Sequence, residues 1–96
     1  MKLFKVSLKA NQDLLDVGAY TQERWGVIQR DKYLDELNNA FESLASNPEL
    51  GPKYESIRPF YRGYFIGKHI IFYIVYKYGV RIVRVLQQNM LYTKHL

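Results

Sequence analysis

Four arginines stand among aromatic and β-branched residues in two short segments, Ile57-Arg58-Pro59-Phe60-Tyr61-Arg62 and Arg81-Ile82-Val83-Arg84-Val85-Leu86. A guanidinium holds a carboxylate or phosphate through two parallel hydrogen bonds, and neighbouring rings stack on bases or pack against a peptide. The pattern suits recognition of something acidic. It also suits a half-exposed strand, where arginine stems cover apolar neighbours. Constellations for covalent or acid–base chemistry are missing from the sequence. The six glycines are scattered singly, so there is no phosphate loop, and no nucleophile elbow surrounds Ser7, Ser43, Ser46 or Ser56. The second half has only Glu49 and Glu55 as acids, both in a loop, which leaves no carboxylate pair on the strands. Cysteine is absent, and His69 and His95 alone cannot close a zinc site, so neither metal nor cofactor is expected. His69, beside a turn, reads as a structural histidine, and Trp25 as core at a helix end.

The elements that must carry these residues follow from the spacing of apolar positions. Leu3 to Leu8 alternates weakly and predicts a first strand. Ala10, Leu14, Val17, Gly18, Thr21 and Trp25 recur at helical spacing, with Asp13, Asp16, Gln22, Glu23 and Arg24 filling much of the rest, so a helix is predicted over Ala10 to Trp25. Ser7 or Asn11 is its N-cap and Gly26 its end. A second helix is predicted from about Val27 to Ala45 on Leu34, Leu37, Phe41 and Leu44, stopped by Asn47-Pro48. So short a connection folds the two into an antiparallel hairpin. Residues 46–56 hold two of the three prolines and read as the one long loop. Beyond it the period becomes two. Tyr61–Ile66, His69–Tyr76 and Val80–Gln87 are predicted strands, joined by Gly67-Lys68 and Lys77-Tyr78-Gly79 as hairpin turns. Ile70 to Tyr76 is apolar or aromatic on both faces, which places its strand in the middle of the sheet.

The expected class is α+β: an N-terminal strand, then an antiparallel helical hairpin packed on an antiparallel β-sheet, in the order β-α-α-β-β-β. The other sheet face is expected to stay partly open. One domain over residues 1–96 is expected, with 89–96 as a terminal turn or tail. No apolar core of a signal peptide precedes Lys5, and the run Ile70–Tyr76 is far below the roughly 20 residues needed to span a bilayer. A cytoplasmic protein without membrane contact is expected. The net charge of +5 is unevenly divided: residues 1–48 carry six Lys/Arg against seven Asp/Glu, residues 49–96 eight against two. Seven of the nine tyrosines share the basic half, which again points to an acidic partner, nucleic acid or protein.

The segments Glu23-Arg24-Trp25-Gly26, Leu44-Ala45-Ser46-Asn47-Pro48, Ile57-Arg58-Pro59, Tyr61-Arg62, Gly67-Lys68-His69, Ile71-Phe72-Tyr73 and Arg84-Val85-Leu86-Gln87-Gln88-Asn89-Met90, in this order over nearly the whole chain, resemble the ParE toxins of the RelE/ParE superfamily. The resemblance implies a bacterial type II toxin–antitoxin module, a toxin held inactive in a hetero-oligomer by a partly disordered, acidic antitoxin, and DNA gyrase as the inhibited target. It implies partner binding through Arg58, Tyr61, Arg62, Arg81, Arg84, Gln87 and Met90, with no catalytic residue and no sequence-specific nucleic acid. The antitoxin's ordering segment would be amphipathic, its acids facing Arg58, Arg62, Arg81 or Arg84.

The alternative within the superfamily is a RelE-type, ribosome-dependent mRNA endonuclease. Arg62 and Arg84 match basic strand positions common to both branches. Tyr92 and His95 lie near the terminus without a recognisable nuclease motif, and the lysines expected upstream reduce to Lys53. RNA cleavage needs a base, an acid and charge stabilisation together, and only the last is supplied. A basic RNA-binding module would explain the charge but not the Glu23-Arg24-Trp25-Gly26 corner. The chain departs from many ParE sequences in having Gln87 in place of His and Leu91 in place of Asp. Gln87 keeps hydrogen-bonding capacity but cannot titrate.

Overall fold

A computed structural model of the chain describes residues 3–96; Met1 and Lys2, the latter counted in the charge of the first half, lie outside the described residues. Strand β1 (Leu3–Val6) leads directly into helix α1 (Leu8–Trp25), and helix α2 (Val27–Ser46) follows after one residue. The Ser7 hydroxyl caps α1 by accepting from the Ala10 amide at 3.0 Å, the role that serine at this position favours. Gly26 adopts φ +90°, a left-handed conformation that ends α1 and starts α2. The helices therefore form the expected hairpin.

Strands β2 (Tyr61–Ile66), β3 (His69–Tyr76) and β4 (Gly79–Gln87) form an antiparallel meander, and the sheet order is β1-β4-β3-β2. The α+β class and the element order are as read from the sequence. The sheet is mixed and not antiparallel throughout, because β1 runs parallel to β4, with Leu3 opposite Gly79 and Val6 opposite Ile82. The long helical hairpin supplies the crossover that a parallel pair requires. Among the described residues no helix is long and apolar enough to cross a membrane.

Alternation along the strands separates two apolar clusters. Phe4, Val6, Ile71, Tyr73, Val80, Ile82 and Val85 face the hairpin and pack on Ala10, Val17, Leu37, Phe41 and Leu44. On the other face Ile70, Phe72 and Leu86 are also fully buried. This half of the face, expected to be open, is covered by Tyr54, Ile57 and Tyr61 from the long loop and by Tyr92 and Leu96 from the C-terminus. The terminal residues form a short 3₁₀ turn, Tyr92–Lys94, whose tyrosine ring meets Phe72 edge-on at 5.0 Å between centroids.

Candidate functional site

Strand β1 ends opposite Ile82, and beyond it the edge of β4 has no strand beside it. Helix α1 closes that edge with Asp13. Its carboxylate accepts from the Val85 amide at 2.9 Å and from Arg84 through Nε at 2.8 Å and Nη2 at 2.9 Å. Asp13 is only 8% exposed, although the sequence reading put it on the polar side of its helix. A signal was present: Asp13 stands three residues after Ala10 and four before Val17, on the buried stripe. A buried carboxylate is tolerated because three donors satisfy it. That bidentate bond holds the Arg84 guanidinium above its ordinary pKa, and Nη1 donates to the His95 carbonyl.

Around this anchor lies a groove of about 400 Å³ lined by Asp16, Tyr20, His69, Arg84, Gln87, Met90 and His95. A second groove of about 420 Å³, lined by Tyr20, Trp25, Gln29, Tyr33, Lys68 and His69, adjoins it through Tyr20 and His69. Trp25 is 57% exposed and meets Tyr20 edge-on at 6.4 Å, with the Arg24 guanidinium over the Tyr20 ring at 4.9 Å. The expectation that Trp25 is core is thus wrong. The left-handed turn at Gly26 starts α2 immediately, so the last residue of α1 stands exposed at the tip of the hairpin, in the groove that Lys68 and His69 also line.

His69 is buried where the two grooves join, and its Nδ1 lies 2.6 Å from the Tyr33 hydroxyl. Tyr33 also donates to the Ile66 carbonyl at 3.3 Å. Both bonds are made together when Nδ1 carries the proton, which leaves Nε2 as an acceptor. Burial lowers the His69 pKa, and the Asp13 carboxylate opposes this only in part, so the ring is neutral at pH 7. Burial also raises the Tyr33 hydroxyl. The ring is thus buried and bonded to Tyr33 within the fold.

The seven residues singled out for partner binding do not converge. Arg84, Gln87 and Met90 share the groove beside α1. Tyr61 and Arg62 line a different one with Lys53, Glu55 and Phe60, where the Arg62 Nη1 donates to the Gly51 carbonyl at 2.6 Å. Arg58 donates to the Leu96 carbonyl at 2.6 Å, and Arg81 stands at the opposite end of the sheet with Leu3 and Tyr78. The bulge in β4 between the Phe72 and Tyr73 pairings puts Arg81 and Arg84 on the same face of the sheet, opposite Ile74 and Phe72, so that distance along the strand separates them and not the face. Tyr20, Tyr33 and Asp13, which build the grooves, had not been singled out. The partners of Asp13 and Tyr33 lie on distant strands.

The sequence model of the ParE toxins of type II toxin–antitoxin systems of the parDE type matches residues 4–92. The chain is 41% identical to the toxin ParE1 of Caulobacter vibrioides over 98 aligned positions, covering all of this chain and 99% of the relative. It is 40% identical to the toxin ParE1 of Mycobacterium tuberculosis over 88 positions, covering 91% and 90% of the two chains. A solved chain from a chromosomal ParDE toxin–antitoxin system of P. aeruginosa shares the fold, with a TM-score of 0.78 at 18% identity, covering 91% of this chain and 96% of that one.

Proposed function

The chain belongs to the ParE toxin family of type II toxin–antitoxin systems, and on that premise we propose that it poisons its host by binding and inhibiting DNA gyrase. A cognate antitoxin with an acidic, partly disordered segment holds it inactive in a hetero-oligomer. The toxin works in the cytoplasm as one domain over residues 1–96, and its action is binding without catalysis.

One observation carries the non-catalytic part of the reading. Two of the groups that an mRNA endonuclease would use near the terminus are committed elsewhere: Arg84 is held by Asp13 on one side and by the His95 carbonyl on the other, and the Tyr92 hydroxyl donates to the Gln88 carbonyl at 2.7 Å. Burial raises the Tyr92 pKa further, away from use as a base at neutral pH. A groove built this way offers surface. Arg84, Gln87 and Met90 are the residues proposed to meet the target, beside the exposed Tyr20 and Trp25, whose rings suit the anchoring role of aromatics at protein interfaces.

The test is a supercoiling assay with purified toxin and gyrase. Inhibition is expected, and Tyr92→Phe or His95→Gln should leave it within a few-fold of the parent. Loss of a general acid or base would instead cost about 10²–10⁴ in rate. Cleavage of ribosome-bound mRNA abolished by either substitution would overturn the reading in favour of the endonuclease.

A further inference from the structure

The charge of the molecule is divided between its two layers. Helices α1 and α2 carry four Lys/Arg against seven Asp/Glu, whereas the four strands and the two turns of the meander carry six Lys/Arg (Lys5, Arg62, Lys68, Lys77, Arg81 and Arg84) and no acid. Arg62 and Arg84 are taken up by the Gly51 carbonyl and by Asp13. Among the described residues, the ion pairs, Arg30–Asp31 and Arg84–Asp13, involve none of Lys5, Lys77 and Arg81.

These three cations surround one groove of about 340 Å³, on the half of the sheet face that the long loop and the C-terminus leave uncovered, and no acidic side chain lines it. Its floor follows from the strand register. One row across β1, β4 and β3 reads Leu3, Gly79, Tyr76, so that no side chain stands between the leucine and the half-exposed tyrosine. A Cβ on Gly79 would run into the Leu3 carbonyl, so the strand pairing itself keeps the gap open. Two strand spacings separate Leu3 from Tyr76 by about 10 Å, which leaves an apolar slot with room for one flat ring against the tyrosine. The next row reads Lys5, Arg81, Ile74. Like charges directly opposite each other cost stability unless an anion lies between them. On the other side of the slot the β3–β4 turn carries Lys77, its Nζ 6.0 Å from the exposed Tyr78 ring.

We propose that this slot binds an unpaired DNA strand without sequence preference: one base stacks on Tyr76 above Gly79, and the phosphates on either side of it lie on the Lys5–Arg81 pair and on Lys77. Aromatic faces accept any base, and cations along a groove follow the backbone. Duplex DNA keeps its base faces stacked on one another and does not enter. Carboxylates of a peptide would meet the cations and leave the slot empty. The assignment to DNA rests on the reading of the chain as a gyrase inhibitor, because an enzyme that changes supercoiling has to break strands, and bases at a break are open to stacking.

Fluorescence anisotropy of a labelled oligothymidylate of about 12 nucleotides, titrated with the intact toxin over a range of salt, tests it. With three phosphates neutralised, the logarithm of the binding constant should fall with the logarithm of salt at a slope of about −2. Lys77→Gln/Arg81→Gln should weaken binding about tenfold or more and bring the slope to about −0.7, while the charge-matched Lys9→Gln/Lys32→Gln should change the affinity less than about twofold. Tyr76→Leu, which keeps an apolar cover, should weaken binding about fivefold or more at an unchanged slope. If the double variant fails to fold by circular dichroism, Arg81→Gln alone takes its place, with an expected slope of about −1.4. Equal effects of the two double variants, or duplex DNA bound as tightly as the single strand, would overturn the proposal. So would tighter binding of oligouridylate, or displacement of the oligonucleotide by polyglutamate at equal charge concentration. A toxin that inhibits gyrase yet fails to bind the oligonucleotide would overturn the slot and spare the target. One that binds it through these residues yet leaves gyrase untouched would refute the target and spare the slot.

Discussion

Replacing Asp13 by alanine removes the one acceptor that Arg84 and the Val85 amide share. The side chains of Arg84 and Asp13 are 15% and 10% exposed, so water replaces the lost partner poorly. Removing one member of a buried ion pair typically costs about 3–5 kcal/mol, and an orphaned buried amide about 1–3 kcal/mol. Arg84 keeps its bond to the His95 carbonyl and can turn partly to solvent, so the lower end, about 3 kcal/mol, is expected. For a chain of this length that lowers the melting midpoint by roughly 12–24 °C. Asp13→Asn keeps an acceptor for Val85 and should lose about half as much. Urea denaturation with an unchanged slope is the assay, since a changed slope would signal an altered denatured state. A loss under about 1 kcal/mol for Asp13→Ala would show that the edge of β4 is closed by something other than this carboxylate.

Tyr73→Phe should destabilise by about 1–3 kcal/mol, because the hydroxyl accepts from the Gly51 amide at 2.9 Å and donates to the Pro48 carbonyl at 2.6 Å, and chemical denaturation reads the loss. Phe60, at φ +68° and 76% exposed, should be replaceable by glycine with a gain of up to about 1 kcal/mol, since relief of left-handed strain outweighs the added freedom of the unfolded chain; a lower melting midpoint would contradict this. The lowered pKa of His69 means that the unfolded chain binds its proton first as pH falls. Its contribution is therefore complete above about pH 6.5 and is lost progressively below it. His69→Gln should flatten that part of the stability–pH curve, as thermal melts between pH 5 and 7.5 would register.

The three C-terminal strands were legible to within a residue because period-two alternation and glycine turns are local signals. Gly67 and Gly79 take the positive φ that those turns require. The hairpin at Gly26 was legible for the same reason, whereas the N-cap stayed open between Ser7 and Asn11 and the helix begins at Leu8, ahead of the expected Ala10. What was not legible depends on contacts far apart in sequence. Asp13 looks like a surface acid until Arg84, 71 residues away, is beside it. Trp25 looks like core because its spacing fits the apolar stripe, but at the hairpin tip that stripe lines an open groove. The cover over Phe72 comes from loop and terminal residues that have no periodicity to read. The four arginines lie close in pattern and apart in space, since Arg81 and Arg84 sit at different ends of β4 and Arg58 and Arg62 on the loop and β2.

The parallel pairing of β1 with β4 also bears on the order of events during synthesis. The strand made first has its one strand partner in the strand made last: Leu3 is matched to Gly79, and Ser7 donates to Val83 across 76 residues. Helices α1 and α2 are local and can form early, but their apolar faces have no sheet to rest on until β4 has left the ribosome. The seal over Phe72 arrives later still, with Tyr92 and Leu96. Closing so large a loop costs entropy that only the completed sheet recovers, so a nascent chain lacking its last strand has neither the anchored Arg84 nor the groove beside it. The toxin is expected to become competent in one late step, once β4 and the residues after it have emerged, which concentrates the partner's opportunity for capture into a single moment.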